Sequence, residues 1–78
     1  MAKIRYIPQP MDAKGMLFAR LKPIEVPSGL SYITSFLSEA MMYTSRMECE
    51  DFCRRWNRVN PEARFKTMRH IFTEASEP

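Results

Sequence analysis

Glycine and cysteine are scarce in this chain, and long apolar runs are missing. Two glycines and two cysteines occur among 78 residues, and each shortage excludes a class of protein. Neither a P-loop nor a G-x-G-x-x-G turn is present, so the glycine-lined phosphate cradles of nucleotide enzymes are ruled out. Small secreted domains lean on several disulfides, and Cys49 and Cys53 do not supply that framework. Four residues apart on one helix, the two side chains run alongside each other on one face, short of disulfide geometry, and read as small buried hydrophobes. No apolar run is long enough to span a bilayer. The opening MAKIRYIPQP puts prolines and charges where a secretory signal would carry its apolar core. A cytoplasmic protein with no membrane partner is therefore expected.

Histidine occurs once, at His70. A Cys–His nucleophile would need that ring to meet an exposed thiolate, and both cysteines fall on an apolar helix stripe. Cys49, Cys53 and His70 make three zinc ligands at best, without a recognised spacing. The expectation is a protein that is not an enzyme and takes no metal or cofactor.

What is present is an ordinary globular balance, 45% hydrophobic and 27% charged, in a length that fits one domain over residues 1–78. Four of the six prolines and both glycines fall in the first 30 residues, which disfavours long helices there. Lys3 to Ile7 alternates with period two, and Met16 to Leu21 is apolar and aromatic after a turn-like Asp12 to Gly15. Both read as strands, antiparallel neighbours because their connection is short. After the break at Pro27, Ser28 and Gly29, the apolar spacing from Ser31 to Tyr43 fits an amphipathic helix. The β-branched start at Tyr32 to Thr34 fits a short strand followed by one helical turn over Leu37 to Ala40.

The best-specified element starts after Ser45. Ser45 and Glu48 form a capping box, and Cys49, Phe52, Cys53 and Trp56 make one apolar stripe. Glu50 with Arg54 and Asp51 with Arg55 are spaced as i, i+4 ion pairs on the solvated face, and Pro61 ends the helix near Asn60. Ala63 to Glu74 carries both helix-start signals and a period-two alternation. A strand with one basic face is preferred, because it supplies the N-terminal strands with a sheet partner. The expected fold is α+β, a small antiparallel sheet of about three strands with one or two helices packed on one face.

Charge is the most uneven property of the chain. The net balance is +3, yet Arg54, Arg55, Arg58, Arg64, Lys66 and Arg69 stand against Glu62 alone between residues 54 and 70, and the remainder is slightly acidic. These six are the expected partner-binding residues, for an acidic protein surface or for phosphates. The competing explanation is a solvated helix end and strand face, with arginines placed favourably near a helix C-terminus. Tyr43 and Trp56 fall on core-facing positions and read as packing residues.

The run YITSFLSEAMMYTSRMECEDFCRRWNRVNPEARFKTM resembles a layout of small phage and prophage accessory proteins of the anti-CRISPR type. An aromatic strand leads to a short turn ending in alanine, then to an aromatic, a capping hydroxyl and a helix bearing a small residue and an aromatic. Tyr32, Ala40, Tyr43, Ser45, Cys49 and Phe52 hold those places. The resemblance covers about half of the chain and implies an inhibitor that occupies a surface on a host protein or nucleoprotein complex. Many acidic members imitate DNA, a pattern from which this basic chain departs. The alternative function is a small basic nucleic-acid-binding or transcription-regulatory protein, with a helix-turn-helix use only if residues 61–75 are helical.

Overall fold

The computed structural model describes residues 2–12 and 15–72. Four strands, one 3-10 turn and one helix follow each other: β1 (Lys3–Pro10), β2 (Phe18–Val26), β3 (Gly29–Thr34), the turn Leu37–Glu39, α1 (Arg46–Val59) and β4 (Phe65–Phe72). The domain is mixed α+β, with antiparallel strands and one long helix, as expected.

The strand pairing corrects one expectation. β1 and β2 are not ladder partners: β1 pairs with β4 from Lys3↔Phe72 to Pro10↔Phe65, and β2 pairs with β3. Pro27 and Ser28 form a two-residue connection between Val26 and Gly29, which are paired, and Gly29 takes φ +130°. That local hairpin occupies one side of β2 before any longer-range partner can, because short closures cost the least chain entropy.

Proline placement explains how β1 carries Pro8 and Pro10. The Met11 N–H donates to the Arg64 carbonyl at 2.9 Å, and Tyr6 and Tyr43 exchange backbone bonds of 2.8 Å each. Backbone groups along an antiparallel strand alternate in direction, so the odd-numbered residues of β1 face β4 and the even-numbered ones face away. Both prolines are even-numbered, where a missing N–H removes nothing from the β1–β4 ladder.

Residues 40–43 join the two strand pairs. The Met41 N–H donates to Ala19 O at 2.9 Å, Ala40 bridges Arg20, and Tyr43 bridges Tyr6. The spatial sequence is therefore β4, β1, the segment 40–43, β2, β3. Successive side chains along these extended segments go to opposite faces, and the core divides accordingly. Ala19 and Phe65 join Cys49 and Cys53 beneath α1, with Tyr6, Ile33, Tyr43, Phe52 and Trp56 packed around them. Their chain neighbours Ile7, Phe18 and Met42 lie in the second cluster with Ala40, Leu37 and Met68.

The two open choices of the sequence resolve locally. The Ser31 to Tyr43 region is strand followed by a single turn, because the Thr34 hydroxyl accepts the Phe36 N–H at 3.1 Å and diverts the backbone. The region after Pro61 is strand over Phe65–Phe72, which removes the helix-turn-helix reading; residues 73 to 75 of that expectation lie outside the described residues.

Helix α1 begins at Ser45, whose Oγ accepts the Glu48 N–H at 3.4 Å. Among the described residues the Glu48 carboxylate returns no bond, so only half of the capping box forms. The expected Glu50–Arg54 pair is also replaced. Glu50 meets Arg46 at 3.1 Å, while Arg54 (3.5 Å) and Arg55 (3.2 Å) share Asp51. Arg46 lies one turn before Glu50, and Asp51 lies one turn before both Arg54 and Arg55, so each acid has a neighbour within helical reach. At the other end, the Asn60 N–H and its Nδ2 both donate to Trp56 O, at 2.8 and 3.2 Å.

Candidate functional site

Both thiols are buried, and they are free. Burial is the leading cause that pushes the Cys49 thiol up to about 11, and it raises Cys53 as well. A thiol held protonated at neutral pH is a weak nucleophile. Cys53 Sγ lies 3.9 Å from Thr67 Oγ1 and so forms part of the contact between α1 and β4. Among the described residues no group of three or more His, Cys, Asp or Glu is placed to hold a metal ion, and no helix is long and apolar enough to cross a membrane. Tyr43 and Trp56 are packing residues, as expected, in the cluster under α1.

The six cations singled out by the sequence are all exposed, and the fold distributes them. Arg54 borders a shallow hollow of about 410 Å³ with Arg46, Glu50, Cys53, Asn57 and Thr67. Arg69 shares the helix-side face of β4 with Phe65 and Thr67, by strand alternation, whereas Lys66 points to the opposite face. Arg55 and Arg58 lie on the solvent side of α1. Arg64 borders a separate groove of about 570 Å³ that includes Tyr32, Trp56, Phe65, Asp12 and Glu62. Arg54 and Arg55 are tied to Asp51, while Arg58, Arg64, Lys66 and Arg69 carry no ion pair with any described residue.

The groove owes its aromatic wall to Trp56. Its Nε1–H donates to Ala63 O at 2.6 Å, its ring stacks on Phe65 at 4.9 Å, and Tyr32 meets it edge-on at 5.1 Å. Three contacts hold the indole in place and fix the turn that leads into β4.

Two features of the surface go beyond the sequence reading. Arg46 joins Arg54 beside β4, a placement that follows from helical spacing of eight residues on one side of α1. Asn57 is the second. Its Oδ1 accepts the Phe65 N–H at 2.7 Å and its Nδ2 donates to Phe65 O at 3.0 Å, so the carboxamide occupies the edge of β4 as a strand residue would. No sequence signal marks Asn57 for that role, because it depends on how α1 lies across β4.

Comparison with known proteins finds no family model that matches this chain, and no curated protein or solved structure that matches it.

Proposed function

We propose that the protein is a non-enzymatic binding protein that occupies a surface on a larger host complex, as its resemblance to anti-CRISPR-type inhibitors implies, and that it works in the host cytoplasm. The observation that carries this reading is the set of exposed cations without acidic partners among the described residues: Arg58 on α1, Arg64 in the turn before β4, and Lys66 and Arg69 on β4. Long basic side chains that meet no acid among the described residues are available to a complementary surface, and they steer its approach. The protonated, buried thiols agree with a role that has no covalent step.

The test is affinity capture from host lysate with the native chain and with a variant carrying Arg54→Gln, Lys66→Gln and Arg69→Gln. The expected result is a protein or nucleoprotein complex that survives nuclease treatment and is lost with the variant. Capture that disappears with nuclease, together with DNA or RNA binding that weakens steeply with salt, would replace this reading with a nucleic-acid-binding role.

A further inference from the structure

Strand β4 lies at one end of the layer, and its outer edge pairs with no strand among the described residues. The Met11–Arg64 bond sets the even-numbered residues of β4 toward β1, so the backbone groups of Phe65, Thr67, Arg69 and Ile71 point the other way. Asn57 satisfies Phe65 completely. Thr67, Arg69 and Ile71 have no backbone partner on that side among the described residues.

We propose that this edge, from Thr67 to Ile71, accepts an extended acidic segment of a partner protein as an added antiparallel or parallel strand. The inference rests on the binding role proposed above and specifies the chemistry of the partner. Main-chain bonds to Thr67, Arg69 and Ile71 supply the pairing, and Asn57 stops it at Phe65. Specificity comes from charge: Arg69 lies on the edge strand itself, and Arg46 and Arg54 stand on the flank of α1 that borders Thr67. Arg46 and Arg54 already meet Glu50 and Asp51, whereas Arg69 has no ion pair with any described residue, so carboxylates at alternate positions of an incoming strand would pair first with Arg69 and share the two helix arginines. Ile71 pairs with Ile4, and both are substantially exposed, which offers an apolar contact for an intervening aliphatic side chain.

A second copy of this chain is the less suitable occupant. Antiparallel pairing of β4 with itself, centred on the open stretch Thr67–Ile71, sets Arg69 against its own counterpart, and like charges across a strand pair are unfavourable. Basic residues on an edge strand serve against self-pairing, and the same residues attract a strand of opposite sign. The other end of the layer, β3 (Gly29–Thr34), carries no charged residue and offers no such selection.

The test uses the full chain labelled with nitrogen-15 and a short peptide of alternating valine and glutamate. Expected are shifts and slowed hydrogen exchange at the Thr67, Arg69 and Ile71 amides, with weaker effects elsewhere. A peptide of the same sequence with alternate backbone nitrogens methylated keeps every charge and should bind at least about tenfold more weakly, since several main-chain bonds are lost. Equal binding of the methylated peptide, equal binding of a valine–lysine peptide, or perturbation confined to other residues would overturn the proposal. So would concentration-dependent protection of the same three amides without peptide, which would assign the edge to a second copy. The outcomes separate this inference from the binding role. Docking of the peptide with no host complex captured removes only the role, and capture lost in the arginine variant without peptide docking removes only the edge.

Discussion

Asn57 completes the hydrogen bonding of Phe65 across the gap between α1 and β4, accepting from its N–H at 2.7 Å and donating to its carbonyl at 3.0 Å. Phe65 itself is buried and stacks on Trp56 and Phe52, at 4.9 and 6.3 Å between ring centres. One side chain therefore fixes the height of the helix over the strand, satisfies two polar groups beside an apolar cluster, and ends the open edge of β4.

Replacing Asn57 by alanine should destabilise the domain by about 1–3 kcal/mol, the net worth of two bonds whose partners stay half-shielded from water. Asn57→Asp keeps the acceptor for the Phe65 N–H and loses the donor to its carbonyl, so a smaller loss is expected. Urea unfolding of the three proteins measures this, with the slope unchanged if only stability is affected. An alanine variant as stable as the native chain would show that Asn57 does not hold the strand.

The buried thiols predict an alkaline loss of stability. Cys49 releases its proton near 9 when exposed and near 11 when folded, and burial raises Cys53 and Tyr43 in the same direction. For a group raised in the folded state, the stabilisation is complete below the unfolded value and declines as pH rises toward the folded one. The urea midpoint should therefore fall between about pH 9 and about pH 11, more gently in Cys49→Ala. A midpoint flat through that range in the native protein would contradict the burial of these groups. At neutral pH, iodoacetamide should label the cysteines only as the chain unfolds.

Much of this arrangement was legible from local signals. The Ser45 cap, the Cys49–Trp56 stripe and the Pro61 stop each depend on residues within one or two turns, and α1 runs from Arg46 to Val59 as they require. The strand over Phe65–Phe72 followed from its alternation and from the need for a sheet partner. Partner choice was not legible. A short connection favoured β1 with β2, but the closer turn at Pro27–Ser28 took β2, and β1 found β4 some sixty residues away. Of the two expected ion pairs, Asp51–Arg55 forms and Glu50–Arg54 does not, for a similar reason. Spacing allows Glu50 to reach either Arg46 or Arg54, and only the shared Asp51 decides between them. The basic stretch was visible as composition, but its division between the edge of β4, the outer side of α1 and the Trp56 groove depends on the tertiary packing.

Phe18 and Leu21 are three residues apart on β2 and should respond oppositely to truncation. Phe18 is fully buried against Ile7 and Ala40, whereas Leu21 is 61% exposed. Phe18→Ala should cost about 3–5 kcal/mol, enough to leave a domain of this size largely unfolded. Leu21→Thr should change stability by no more than about 0.5 kcal/mol. Circular dichroism with thermal melting distinguishes them, and a folded Phe18→Ala protein would show that the second cluster contributes little.

The last prediction concerns the link between the turn Leu37–Glu39 and the strands. Glu39 Oε2 receives the Arg20 guanidinium at 3.1 Å and the Thr34 hydroxyl at 3.1 Å, while Thr34 accepts the Phe36 N–H. Arg20 is mostly buried, with a side chain 12% exposed, and Glu39 is nearly half exposed. Removing the acid thus leaves the more enclosed partner with only its Nε bond to the Lys22 carbonyl at 3.1 Å and no counter-charge, and this asymmetry sets the cost. Glu39→Ala should lose about 1–2 kcal/mol, and Glu39→Gln should lose less because it still accepts from both donors. If the pair were an ordinary surface ion pair, moderate salt would erase the difference between native and Glu39→Ala proteins. The expected result is that most of the difference persists, because Thr34 and the packed stem of Arg20 keep water and ions from one side of the contact.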